Sequence, residues 1–310
     1  MRSPKALRAE IAPRLSELNA NEIIIPHDIS ERHLKTARTF MSRHVGPKSQ
    51  VEAQVHALLE MLSSASGFGL QYEWAATRNA DATIEHGGGS CLSLSAVLVG
   101  LARGLGIRAY YVDASKWAPD HQKDGNLTVH SGHIAVVLQT EQAEALVDFA
   151  GEIDHIYGTR RIDDLEVVAH FYNNLGYELI HRAQKDHMDI PWNEALTEFR
   201  IATKIVPKFA LAWNNAGLAL QRLGRNKEAL LAFHYALLLD PEMEAARRNL
   251  AAWHGQKPFI EIDERTSAPH LALKWQAMAL GPTAVTWQIA LLPKLGLQAE
   301  VPETTIESDR

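Results

Sequence analysis

Apolar residues recur at Val51, Val55, Leu58, Leu59 and Leu62, a spacing that lays them on one face of a helix. Upstream, Pro26-His27-Asp28-Ile29-Ser30-Glu31 offers helix caps, and residues 1 to 66 read as helical throughout. Gly67 to Tyr72 is a turn into an extended segment, and Ala82 to His86 leads up to three glycines. A second apolar helical run follows at Leu92, Leu94, Val97, Leu98, Leu101, Ala102 and Leu105. The pattern then changes period. Ile107 to Val112 is rich in β-branched and aromatic residues, and His133-Ile-Ala-Val-Val-Leu138 is a continuous apolar run, so both predict strands. Thr140 to Ala145 reads as a polar hairpin loop, and Leu146-Val147-Asp148-Phe149 opens a further short strand. Between Asp113 and Val129 the chain is polar, which predicts a long loop bordering the cleft.

From about residue 169 the organisation is different. Ala195, Phe199, Ala202 and Pro207 recur as Ala229, Phe233, Ala236 and Pro241, a period of 34. Ala212-Trp-Asn-Asn-Ala-Gly217 has a counterpart in Phe171-Tyr-Asn-Asn-Leu-Gly176, with the extra length expected in the turn from Lys185 to Pro191. This pattern matches tetratricopeptide repeats, in which glycine permits close helix packing, and Ala245 to Trp253 reads as a capping helix. Two repeats and a cap bury too little by themselves, so they are expected to dock on the first domain or on another chain.

The chemistry gathers around Cys91, the single cysteine of the chain. Gly87, Gly88 and Gly89 let the backbone turn into the apolar helix, so Cys91 falls at the helix N-terminus. The first-turn N–H groups and the positive dipole end there favour an anion, whether thiolate or oxyanion. A lone cysteine in an apolar helix also packs as a small hydrophobe. What distinguishes this one is the pair of strands downstream. Antiparallel pairing puts the start of the His133 strand beside the end of the Asp148 strand, so the carboxylate can orient an imidazole that faces the helix. Nucleophile, base and orienter are the three roles that cysteine catalysis needs.

Gly87-Gly-Gly-Ser-Cys91-Leu-Ser-Leu-Ser-Ala-Val-Leu-Val-Gly-Leu-Ala-Arg103-Gly-Leu-Gly106-Ile-Arg108 resembles the nucleophile helix of the transglutaminase-like superfamily. The His133 strand and Val147-Asp148 resemble its second and third motifs, and the likeness covers roughly residues 50 to 150 in order. The resemblance implies a papain-like triad of Cys91, His133 and Asp148. Members often carry an aromatic residue soon after the histidine and Pro or Gly beside the aspartate. Here Ile134-Ala135 and Phe149-Ala150 stand instead, so substrate preference does not transfer. A repeat pair joined to such a core also resembles bacterial composite proteins.

Composition narrows the partners. Net charge is −6 and the charged fraction 22%, which gives no support for nucleic-acid binding. One cysteine excludes an internal disulfide framework, the N-terminus has no apolar signal-peptide core, and the default location is cytoplasmic. Trp275 to Pro293 is uncharged, but Gln276, Pro282, Thr283, Thr286 and Gln288 make it a poor membrane span and favour a packed strand or loop extension. His130 and His133, three apart on a strand, point to opposite faces and argue against a shared metal, so no metal or cofactor is expected. Asp113 reads as a turn cap. Gln71, upstream of the glycines where papain-like sites draw an extra donor, is a candidate oxyanion group.

The expected protein is α+β: a transglutaminase-like core with a helix-borne cysteine on an antiparallel sheet (residues 1–168), an all-α tetratricopeptide array (169–256) and a C-terminal extension (257–310). The expected function is cysteine-dependent acyl transfer, as a protease or amidase acting on a peptide or protein. The alternative is a non-catalytic scaffold that binds a protein partner through its repeats.

Overall fold

In a computed structural model, the protein is described over residues 2–15, 18–45, 51–114, 121–124, 127–130, 133–139, 143–149, 159–253 and 288–293. Three helices open the chain: α1 (Pro4–Ile11), α2 (Glu31–His44) and α3 (Val51–Ser63). The first is capped by Ser3, whose hydroxyl accepts from the Ala6 N–H, with proline in its first turn. Strand β1 (Gln71–Tyr72), α4 (Ala80–His86) and β2 (Gly88–Gly89) then lead into α5 (Cys91–Gly104). Every residue of α5 from Cys91 to Ala102 is buried, as a helix apolar on nearly all sides must be.

The sheet behind α5 is antiparallel in every pairing. It is built from β3 (Arg108–Asp113), β6 (Ile134–Gln139), β7 (Ala143–Asp148), β8 (Arg160–Ile162) and β9 (Gln288–Pro293), in the order β8-β3-β6-β7-β9. Ile134, Val136 and Leu138 face the main core with Leu94, Val97, Leu98 and Leu101, while Ala135 and Val137 join Val112 and Leu146 in a second, smaller cluster on the other face. Both faces of the central strand are therefore covered, which explains its continuous apolar run. The sequence expectation of a loop between Asp113 and Val129 needs correction: β4 (His121–Asp124) and β5 (Leu127–His130) form a two-stranded antiparallel ribbon within it. Of the stretch from Trp275 to Pro293, expected as a packed strand or loop extension, Gln288–Pro293 forms β9 along the outer side of β7. The remainder of the C-terminal extension lies outside the described residues.

Five helices complete the described chain: α6 (Asp164–Lys185), α7 (Trp192–Ile205), α8 (Ala210–Arg222), α9 (Asn226–Leu239) and α10 (Glu244–Trp253). Asp163 opens α6 with a capping box, its side chain accepting from the Glu166 N–H while Glu166 accepts from the Asp163 N–H. Equivalent packing recurs in the two hairpins. A Cβ at Gly176 would meet the Phe199 ring at 2.7 Å, and one at Gly217 would meet the Phe233 ring at 2.7 Å. The insertion between the repeats lies only partly in the turn, because α6 itself runs on to Lys185 while α8 stops at Arg222.

The repeats share the core of the first domain. Leu165, Phe171, Tyr172, Ile201, Ile205 and Ala212 lie in one apolar cluster with Leu7, Leu58, Leu98 and Tyr111. A smaller cluster around Phe199, Ala216, Leu220 and Phe233 binds the hairpins to one another. Docking on the first domain, expected because two repeats bury too little, is what the packing shows.

Candidate active site

The turn into α5 is built by close approach of backbone. Helix α4 ends at Gly87, which has φ of +77°, a conformation costly for any residue with a Cβ. Gly88 and Gly89 then pair in parallel with Gln71 and Tyr72. A Cβ at Gly89 would lie 2.6 Å from the Ser93 Cβ, so only glycine lets this strand pass beside the helix. Ser90 occupies the N-cap position, and its N–H donates to the Ala76 carbonyl at 2.9 Å. Ser93 Oγ donates to the same carbonyl at 3.0 Å and accepts the Arg78 N–H at 2.8 Å. Cys91 is thus the first residue of the helix, held by a loop that Ser93 fastens from within, and is 8% exposed.

The other two residues come from the sheet. Ala114 N–H donates to the His133 carbonyl at 2.8 Å, continuing the β3–β6 pairing by one step, and Ser95 Oγ on α5 donates to the Ile134 carbonyl at 3.3 Å. Register pairs Val136 with Val147, which brings the end of β7 beside the start of β6. His133 Nε2 meets Asp148 Oδ1 at 2.9 Å, with both side chains buried. His133 also shares a hydrogen bond with Cys91. Since Nε2 is committed to the carboxylate, Nδ1 is the ring atom left for the sulfur. Burial pushes the imidazole pKa down, but hydrogen bonds to Asp148 and Cys91, with their negative charges, outweigh it and raise it to about 10. An imidazole held between a carboxylate and the Cys91 side chain is an arrangement able to accept a proton and to deliver it again.

The remaining expected residues fall as follows. Gln71 lies on β1 opposite Gly88; its Oε1 is buried with no hydrogen-bond partner among the described residues. Asp113 ends β3 and forms an ion pair with Arg160 of β8 at 3.3 Å, and the turn after Ala114 that it was expected to cap lies outside the described residues. His121 and His130 are register partners across the β4–β5 ribbon, and among the described residues no three metal-binding side chains cluster. Two cavities of about 420 and 430 Å³ lie around Arg103 at the far end of α5, and Cys91 lines neither.

Sequence reasoning missed the contacts that bring the repeats to this site. Glu178 of α6 accepts the Thr77 N–H at 2.7 Å, in the loop that Ser93 holds. Tyr177 and Leu218 pack with Ala75 and Trp192, and neighbouring Trp74 is 48% exposed. Arg78 adds a bond to the Gly88 carbonyl at 2.8 Å and a 2.7 Å ion pair with Glu73. Polar residues in Gln71 to Arg78, just before a glycine run, were the available signal.

Comparison with known proteins agrees with this architecture. Residues 38–155 match the model of the transglutaminase-like superfamily. The chain is 33% identical over 84 residues to a chloroplastic tetratricopeptide repeat domain-containing protein, PYG7, of Arabidopsis thaliana, spanning 27% of this chain and 26% of that one. It is 43% identical over 53 residues to the peroxisomal targeting signal receptors of Kluyveromyces lactis and Candida glabrata, spanning 17% of this chain and 9% of each receptor. The chain therefore spans only a small part of these relatives. Among the described residues no helix is long and apolar enough to cross a membrane.

Proposed function

We propose that this protein is a cysteine-dependent acyl-transfer enzyme, a cytoplasmic protease or amidase acting on an amide within a peptide or protein. The observation that carries the reading is the continuous line of contacts from Cys91 through His133 to Asp148 at a helix N-terminus. In this account Cys91 Sγ gives its proton to His133 and attacks the amide carbonyl carbon. First-turn N–H groups of α5 steady the developing oxyanion, with Gln71 as a candidate further donor. The C–N bond breaks as His133 returns the proton to the leaving amine. Water, deprotonated by the same imidazole, then hydrolyses the thioester and frees Cys91. Asp148 keeps Nε2 of the ring engaged throughout.

In this reading the chain has three parts, a transglutaminase-like core, the repeats to residue 256 and a C-terminal extension from 257. The repeats start at the Asp163 cap rather than at 169, since residue 168 falls inside α6. The names of the relatives, a targeting-signal receptor and a repeat protein, support a protein-binding role for these helices. They also favour the rival reading, a scaffold whose core no longer reacts. Turnover decides between the two. A peptide library incubated with the wild-type chain should yield new amino termini or free ammonia, and Cys91→Ala should yield neither. Equal product from both proteins overturns the proposal.

A further inference from the structure

Asn173 and Asn174 of α6, Asn214 and Asn215 of α8, and Asn249 of α10 form a row of primary amides across three helices. Asn173 Nδ2 donates to Asn174 Oδ1 at 3.5 Å, and Asn215 Nδ2 to Asn173 Oδ1 at 2.9 Å. The row continues from Asn214 Nδ2 to Asn215 Oδ1 at 3.2 Å and from Asn249 Nδ2 to Asn214 Oδ1 at 2.9 Å. Asn173, Asn214, Asn215 and Asn249 are fully buried. Each amide offers two N–H groups and two lone pairs, so the row presents both donors and acceptors along its length. Such capacity is costly under an apolar cover and suits a cover that is itself polar.

The strand β5 lies directly against α8 and α10, two of the three helices that carry the row. Within the described residues it pairs only with β4, so its other edge presents main-chain N–H and C=O groups. An isolated two-stranded ribbon is marginal in water and needs a surface to hold it. We propose that the asparagine row is a clamp for extended backbone, and that its resident occupant is this chain's own segment Leu127–His130. Recognition runs through the main chain, so it depends little on side-chain identity, as in other strand-on-protein contacts. Because β5 ends three residues before His133, the clamp ties the repeats to the strand that carries the imidazole. While the segment is seated, the row is closed to extended peptides from elsewhere.

The inference concerns how β5 is held and stands or falls independently of whether Cys91 reacts. Hydrogen exchange on the full chain tests it. Amides of residues 127–130 should be protected in the wild type, and Asn214→Ala/Asn249→Ala should exchange them at least tenfold faster while α6 and α9 keep their protection. Wild-type exchange at the unstructured rate overturns the proposal, as does unchanged protection in the variant. Should the double substitution also open α6 and α9, a chain with 121–130 replaced by a glycine-serine linker decides. The side-chain amide protons of Asn214, Asn215 and Asn249, followed by NMR, should then exchange at least tenfold faster than in the wild type. Unchanged exchange there also overturns it.

Discussion

Glu178 Oε2 accepts the main-chain N–H of Thr77 at 2.7 Å, joining the first repeat helix to the loop that enters the Cys91 turn. The bond is buried at both ends, and the same carboxylate pairs with Arg182 one turn along α6. The repeats thereby become part of the framework that fixes Cys91.

Glu178→Ala leaves the Thr77 N–H buried without its acceptor, a loss of about 1–3 kcal/mol. Glu178→Gln keeps an oxygen in place and should retain most of that stability. Chemical denaturation of the two variants, with Cys91 labelling read alongside, should show both stability and labelling rate falling in the alanine variant and largely preserved in the glutamine one.

Gly176→Ala and Gly217→Ala each drive a methyl group into a phenylalanine ring fixed between two helices. Overpacking of this kind costs about 1–3 kcal/mol. The two contacts involve different rings, Phe199 and Phe233, so the losses should be close to additive in the double variant. Thermal denaturation checks both statements.

Residues 164–253 expressed alone should be insoluble or melt without cooperativity. Leu165, Phe171, Ile201 and Ile205 bury themselves against the first domain and would face water in the fragment. A soluble, sharply melting fragment would show the repeats to be an independent module and would favour the scaffold reading.

The His133–Asp148 pair sets a pH dependence of stability. An imidazole raised from its ordinary 6.5 to about 10 in the folded chain adds stability that is complete below about 6.5 and is lost as pH rises through about 10. Denaturation between pH 6 and pH 10 should therefore show falling stability in the wild type. Asp148→Asn should be less stable near pH 6 and show a shallower decline.

Much of this arrangement was legible in residue order. The glycine run, the apolar helix after Cys91 and the two strands framing His133 and Asp148 carry their structure locally, through periodicity and turn chemistry. The repeats announced themselves through Gly176 and Gly217 with Phe199 and Phe233. What escaped was set by partners far along the chain. Asp113 finds Arg160 across a sheet, and Glu178 finds Thr77 across the junction between core and repeats. The β4–β5 ribbon was read as loop because its strands are short and polar, and the contact that supports it comes from α8 and α10. The doubled Asn-Asn at 173–174 and 214–215 was visible as a repeated element, but its role needed the helices side by side.

The central claim is that His133 and Asp148 make Cys91 a nucleophile, and the rate of Cys91 alkylation by iodoacetamide against pH tests it most directly. An ordinary thiol ionises near 8.5 and reacts slowly below neutrality. The account predicts that the wild type is modified about a hundredfold faster than His133→Ala, with a smaller loss in Asp148→Asn. Wild-type and His133→Ala curves that coincide across the range would contradict it.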